Sequence, residues 1–92
     1  MKILGYNYRI KRGATADEMD ASGRLHGRGQ VIQVASDLAE EGYTSALLHE
    51  ILEALNWHLQ LGLEHNVIMS LEAGLFQVLV DNGIDLSPLG CG

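Results

Sequence analysis

The stretch that decides the fold is TSALLHEILEAL, residues 44–55 of a 92-residue chain. Its leucines and isoleucine recur at intervals of three and four residues, which is the spacing of one face of an α-helix. Thr44 or Ser45 can serve as the N-cap, and Gly62 suits the C-terminal end. We therefore predict an amphipathic helix over about residues 44–61.

A second helix is predicted over about residues 64–80. Its apolar side chains keep helical spacing from Ile68 to Leu79. Asn82 and Gly83 follow, and both residue types accept the left-handed backbone that ends a helix.

Two strands are predicted before the helices. Residues 2–12 alternate aromatic and β-branched side chains with polar ones, and residues 30–35 form a short β-branched run. The glycine-rich segment 13–29 lacks a sustained period and is predicted as a loop, with a short helical turn possible near Asp17.

These elements predict an α+β fold in a single domain, residues 1–92. A small antiparallel β-sheet or hairpin (about 2–12 and 30–35) packs on two antiparallel helices (about 44–61 and 64–80), and residues 84–92 form a flexible tail.

The charges divide the chain into a basic front and an acidic back. All six Lys and Arg residues precede residue 29, and residues 29–92 hold nine of the twelve acids for a net charge of −9. Nucleic-acid binding needs clustered cations, so the back half disfavours a nucleic-acid partner and suits a cation.

Other features of the sequence exclude whole classes of protein. One cysteine, Cys91, excludes an internal disulfide framework, and we expect an exposed free thiol there. No apolar run approaches the length of about 20 residues that spans a membrane. The N-terminal apolar stretch is too short for a signal peptide, so we expect a cytoplasmic protein.

The candidate chemistry lies on the polar face of the first helix. His49 and Glu53 are four residues apart, so both side chains point the same way and could hold one ion. Glu50 lies on the same rim, where it could face a metal-bound water. The pattern is weak by itself, because a His and a Glu at this spacing are common on solvated helix surfaces.

The second helix strengthens the metal interpretation. His65, Met69, Glu72 and Phe76 form one stripe, which a short turn near Gly62 can set against the first helix. Two His and two Glu side chains brought together without Lys or Arg are costly unless a cation lies among them. A solvent-exposed His65 without a ligand role is the alternative.

Three tracts resemble a known family: QVIQV at residues 30–34, TSALLHEILEAL at 44–55 and LEAGLFQVLVDN at 71–82. They are similar to the very small zinc metallopeptidase-like proteins of phages and bacteria, within the broad zincin group. The resemblance covers about two-thirds of the chain. It implies a minimal zincin core, with a strand beside the substrate cleft, a helix bearing His-Glu-x-x-His, and a second helix that gives a third ligand.

The sequence departs from that pattern at two positions. Glu53 replaces the second motif histidine, giving an HExxE variant. Met69 stands where the third-ligand glutamate of the relatives aligns, and His65 lies one turn earlier. Histidine and glutamate thus exchange helices, and the set of two imidazoles and one carboxylate is kept.

With these departures, the resemblance implies zinc held by His49, Glu53 and His65, and Glu50 as the general base of peptide hydrolysis. Glu72 is then a fourth ligand or an acceptor that orients His65; alternatively, Glu72 is the third ligand and His65 takes the outer role. The same donors also accept nickel, cobalt or iron.

Three functions remain open from the sequence. The first is a zinc-dependent peptidase, or hydrolase-like relative, whose peptide or protein substrate pairs with the strand at residues 30–35. The second is a non-catalytic metal-stabilised module that binds a protein partner. The third is a phage protein that associates with nucleic acid through its basic N-terminal hairpin.

Overall fold

In the computed structural model of the protein, which describes residues 1–90, a small sheet packs on the first of two long helices, and the second long helix packs on the first. The α+β class is confirmed. In chain order, the elements are β1 (Lys2–Ile3), β2 (Tyr6–Asn7), β3 (Arg9–Lys11), α1 (Ala16–Met19), β4 (Gly23–His26), β5 (Val31–Val34), α2 (Glu40–Leu59), α3 (His65–Asp81) and a short 3₁₀ helix (Ser87–Gly90).

The strands form two sheets rather than a single antiparallel one. β1 and β2 make an antiparallel hairpin, and the second sheet has the order β3-β5-β4. β3 and β5, which come from the two predicted strand segments, pair in parallel. The antiparallel neighbour of β5 is β4, which lies in the segment predicted as a loop. In β4 the apolar Leu25 stands between the polar Arg24 and His26, but the glycines around this short segment make the alternation hard to recognise in the sequence.

This topology corrects the expected position of the substrate. β5 has a partner on each side, so it has no free edge with which a peptide could pair. β4 is an edge strand, and it is the strand that lies next to the acid-rich face of α2. A peptide that adds to this sheet beside α2 must therefore pair with β4.

The first long helix begins four residues before the predicted start. Ala39 is its N-cap and makes no side-chain capping bond, while Glu40 and Glu41 in the first turn interact favourably with the helix dipole. Tyr43, in the added turn, is buried in the core and holds this turn against the sheet. The second long helix ends within one residue of the predicted bounds at both termini.

The core lies between the three-stranded sheet and α2. Ile32 and Val34 of β5 pack with Tyr43, Leu47 and Ala54 of α2. Leu86, in the segment predicted as a flexible tail, packs against the same cluster. Cys91, predicted to be an exposed thiol, lies outside the described residues.

Candidate metal centre

His49, Glu53 and His65 come together between α2 and α3. One ring nitrogen of each histidine and one carboxylate oxygen of Glu53 all lie within 4.8 Å of one another. The two imidazole rings are 5.3 Å apart between centroids. Two imidazoles and one carboxylate form a donor set that zinc takes in hydrolytic sites, with a further position left for water or substrate. The residues present therefore fit a zinc ion.

The turn between the helices fixes the position of His65. The Asn56 side chain accepts a hydrogen bond from the backbone N–H of Leu63 at 2.9 Å and donates one to the Leu63 carbonyl at 3.3 Å. Leu63 stands two residues before His65, at the entry to α3. Asn56 therefore holds the start of α3 against α2, and sequence reasoning did not single it out.

Glu72 contacts His49 rather than His65. Its Oε1 lies 2.8 Å from His49 Nδ1, and its Oε2 accepts a hydrogen bond from the Ser45 hydroxyl at 2.6 Å. A neutral imidazole that donates from Nδ1 to this carboxylate has its lone pair on Nε2, the form in which a histidine binds a metal through that nitrogen. Three roles were left open for Glu72: third ligand, fourth ligand or orienting acceptor. This geometry favours the orienting one, directed at His49 instead of His65.

Ser45 was considered only as a helix cap, yet it lies inside α2 and supports Glu72. It stands four residues before His49, and that spacing places both side chains on the same helix face. This is the signal by which the sequence could have linked Ser45 to the site.

Glu50 lies under β4 at the inner side of the site. Only 6% of the residue is exposed. A Cβ atom placed on Gly23 would come within 3.0 Å of Glu50 Oε2 and 3.1 Å of the Gln33 carbonyl oxygen. Gly23 therefore leaves the space that the carboxyl group occupies. Sequence reasoning treated this glycine only as part of a loop.

Burial raises the pKa of Glu50 to about 7. That value already includes smaller contributions from neighbouring groups: His49 lowers the pKa, and the carboxylates of Glu53 and Glu72 raise it. A carboxyl group with a pKa near neutrality can accept and release a proton at physiological pH, which is the property that a general base needs.

A pocket of about 430 Å³ opens between β4 and the two long helices. Ser22 and Gly23 line one side, and His49, Glu50 and His65 line the other. The candidate ligands His49 and His65 and the candidate base thus face a space that an extended peptide could enter.

Two other histidines lie outside this site. His58 stacks on Tyr6 at 4.4 Å between ring centroids, and its Nε2 lies 2.6 Å from the Tyr8 hydroxyl. His26, in the segment predicted as a loop, is part of β4 and contacts the Gln33 side chain at 2.8 Å.

Comparisons with known proteins found no match: no protein family, curated protein or solved structure is similar to the chain at a significant level. Within residues 1–90, no helix is both long enough and apolar enough to cross a membrane.

Proposed function

We propose that the protein is a zinc-binding, metallopeptidase-like hydrolase in which Glu50 is the general base. The observation that carries this proposal is the convergence of His49, Glu53 and His65 beside a buried carboxyl group that faces the same pocket. The cytoplasmic location expected from the sequence is part of the proposal.

Each candidate site residue has its own role in the proposed hydrolysis. His49, Glu53 and His65 would hold the zinc ion, which when bound acidifies water and polarises a carbonyl group. Glu50 takes a proton from the attacking water and passes it to the leaving amine. Glu72 and Ser45 fix the ring of His49 and its tautomer, so that Nε2 remains available as a donor atom.

A second candidate is a metal-stabilised module without catalysis. Ile68 is the one buried residue of α3, so packing alone holds this helix weakly. An ion bound by both helices would tie α3 to α2 whether or not a substrate is cleaved.

Metal content measured by mass spectrometry tests the shared part of both candidates. Protein purified without chelators or an affinity tag is expected to hold about one zinc ion per chain, as expected for a site with three protein ligands. His49→Ala is expected to lose it, while the matched variant His58→Ala keeps it. Well-folded protein without stoichiometric metal would refute both.

Cleavage of an unstructured protein separates the two candidates. Zinc-loaded protein is expected to cleave it, and Glu50→Gln is expected to keep the zinc and lose the activity. Glu41→Gln, an exposed carboxylate on the same helix, is the control and should cleave normally. Equal cleavage by Glu50→Gln would remove Glu50 from the reaction, and no cleavage by the native protein would favour the non-catalytic module.

A further inference from the structure

One face of the three-stranded sheet points away from α2 and is rich in basic side chains. Ile10, Leu25 and Ile32 lie side by side in the register and pack towards the core, so their neighbours along each strand point the opposite way. This outer face consists of Arg9, Lys11, Arg24, His26, Val31 and Gln33. Its six side chains include three permanent cations and no acid.

These cations have no anionic partner within the described part of the chain. Across residues 1–90, no Lys or Arg nitrogen lies within 4.0 Å of a carboxylate oxygen, and the contact at that distance is the one between the His49 ring and Glu72. Arg24 donates instead to the backbone carbonyl of Met19, which holds its guanidinium at the end of the face. An arginine has five N–H donors, so most of those of Arg24 remain for another partner.

The edge beside this face is open to an added strand. The Ala35 N–H donates to the Ser22 carbonyl, so Ser22 points its backbone groups towards the β5 side. Because this direction alternates along an antiparallel strand, Gly23 and Leu25 direct their N–H and C=O groups to the free edge. Gly23 lies directly against Glu50. A peptide paired with this edge therefore passes the candidate base.

We propose that the protein selects acidic polypeptide substrates, bound as an added strand on the free edge of β4 with acidic side chains two residues apart on the outer face. The inference rests on the proposed function, because it names the substrate class of the same site. In an added strand, the side chains beside Arg24 and His26 lie on the outer face, and those between them point towards the pocket.

The surface fits a peptide better than a nucleic acid. Binding of single-stranded nucleic acid generally uses aromatic side chains on which bases stack, and the outer face has no Phe, Tyr or Trp. The free backbone groups of Gly23 and Leu25 offer a ladder of hydrogen bonds that a peptide can complete.

Peptide binding to the zinc-loaded Glu50→Gln variant tests this selection without cleavage. Two fluorescently labelled ten-residue peptides of identical composition, rich in Thr and Ser, carry two Glu residues either two or three positions apart. Only the first can place both carboxylates on the outer face, whatever its register. The second peptide can still place one carboxylate on the outer face, so the two peptides differ by one opposite-charge pair. Such a pair between neighbouring strands contributes about 0.2–1 kcal/mol, so we expect the first peptide to bind up to about fivefold more tightly at low salt.

Charge reversal provides the matched variants. Arg24→Glu is expected to lose this preference and to favour the corresponding peptide with two Lys residues two positions apart. Arg9→Glu removes a cation from β3, about 10 Å from β4 across the sheet, and should keep the original preference. A gained preference cannot result from misfolding.

Several results would overturn the proposal or separate it from the proposed function. Equal affinity for the two Glu peptides would refute selection by the outer face. A single-stranded oligothymidine that binds more tightly and displaces the peptide would assign the face to nucleic acid. If the native protein binds the acidic peptide selectively but does not cleave it, the proposed substrate preference holds and the proposed hydrolysis is refuted. If it cleaves peptides without preferring acidic ones, the hydrolysis holds and the substrate preference is refuted.

Discussion

Glu50→Gln should make the metal-free protein more stable at alkaline pH while abolishing catalysis. Glutamine keeps the shape of the side chain but cannot ionise, so the variant never has to bury a charge under β4. The native protein must do so once the pH exceeds the pKa of this carboxyl group in the folded state, which is about 7.

The size of the effect follows from proton linkage. The ordinary pKa of a glutamate is 4.5, and burial raises that of Glu50 to about 7. Between these pH values, the folded chain keeps a proton that the unfolded chain has lost, so the stability contributed by this group falls as the pH rises through the window. At about 1.4 kcal/mol per pKa unit, the loss between pH 5 and pH 8 amounts to about 2–3 kcal/mol.

Urea unfolding followed by far-ultraviolet circular dichroism, with a chelator present, measures this difference. The free energy of unfolding of Glu50→Gln minus that of the native protein should rise by about 2–3 kcal/mol from pH 5 to pH 8. Titrations of groups that do not interact with Glu50 cancel in this difference. For Glu41→Gln, at an exposed position, the free energy of unfolding should differ from that of the native protein by the same amount at both pH values. A pH-independent difference for Glu50→Gln would refute the argument that burial keeps this carboxyl group protonated.

Three further substitutions test how the site is supported. Glu72→Gln, which weakens the acceptor of the His49 N–H, should lower zinc affinity about 10- to 100-fold in a competition titration; unchanged affinity would show that this contact does not orient His49. Asn56→Ala should lower the free energy of unfolding by about 1–2 kcal/mol because Leu63 loses two hydrogen bonds, and urea unfolding that matches the native curve would contradict that role. Gly23→Ala should keep zinc bound but reduce peptide cleavage, since the added Cβ lies 3.0 Å from Glu50 Oε2; native cleavage rates would show that the carboxyl group moves aside without loss.

The helical half of the fold could be predicted closely because its signals are local. The apolar spacing between Leu47 and Leu55 and between Ile68 and Leu79 sets both helices, and the bounds of α3 differ by a single residue from the prediction. Pairing between strands is set by distant contacts, and the sequence carries little trace of them. β4 was missed for this reason: a central leucine flanked by a glycine, an arginine and a histidine has too few apolar side chains to stand out.

In the candidate site, too, the contacts set by local spacing could be predicted from the sequence, and those set by packing could not. The contacts of His49, Glu53 and His65 depend on helix spacing and one short turn, which the sequence predicts, and the three side chains do converge. The partner of Glu72 depends on the rotation of α3 about its own axis. That rotation is set by the packing of Ile68, so the sequence could not decide between His49 and His65.

The separation of basic and acidic residues along the sequence corresponds to two separate surfaces of the fold: the outer face of the sheet carries cations, and the region between the helices carries carboxylates. A chain with six cations and twelve acids could relieve much of its internal repulsion by pairing them, yet within residues 1–90 the structure joins none of its Lys and Arg residues to a carboxylate. Both kinds of charge are thereby left for partners from outside: a divalent cation for the carboxylates between the helices, and an acidic polypeptide for the outer face. Pairing Arg24 with a carboxylate of the same chain would remove the selectivity that the face offers. The proposed site and the proposed substrate therefore depend on one property of the sequence, the restriction of all its cations to the first 28 residues.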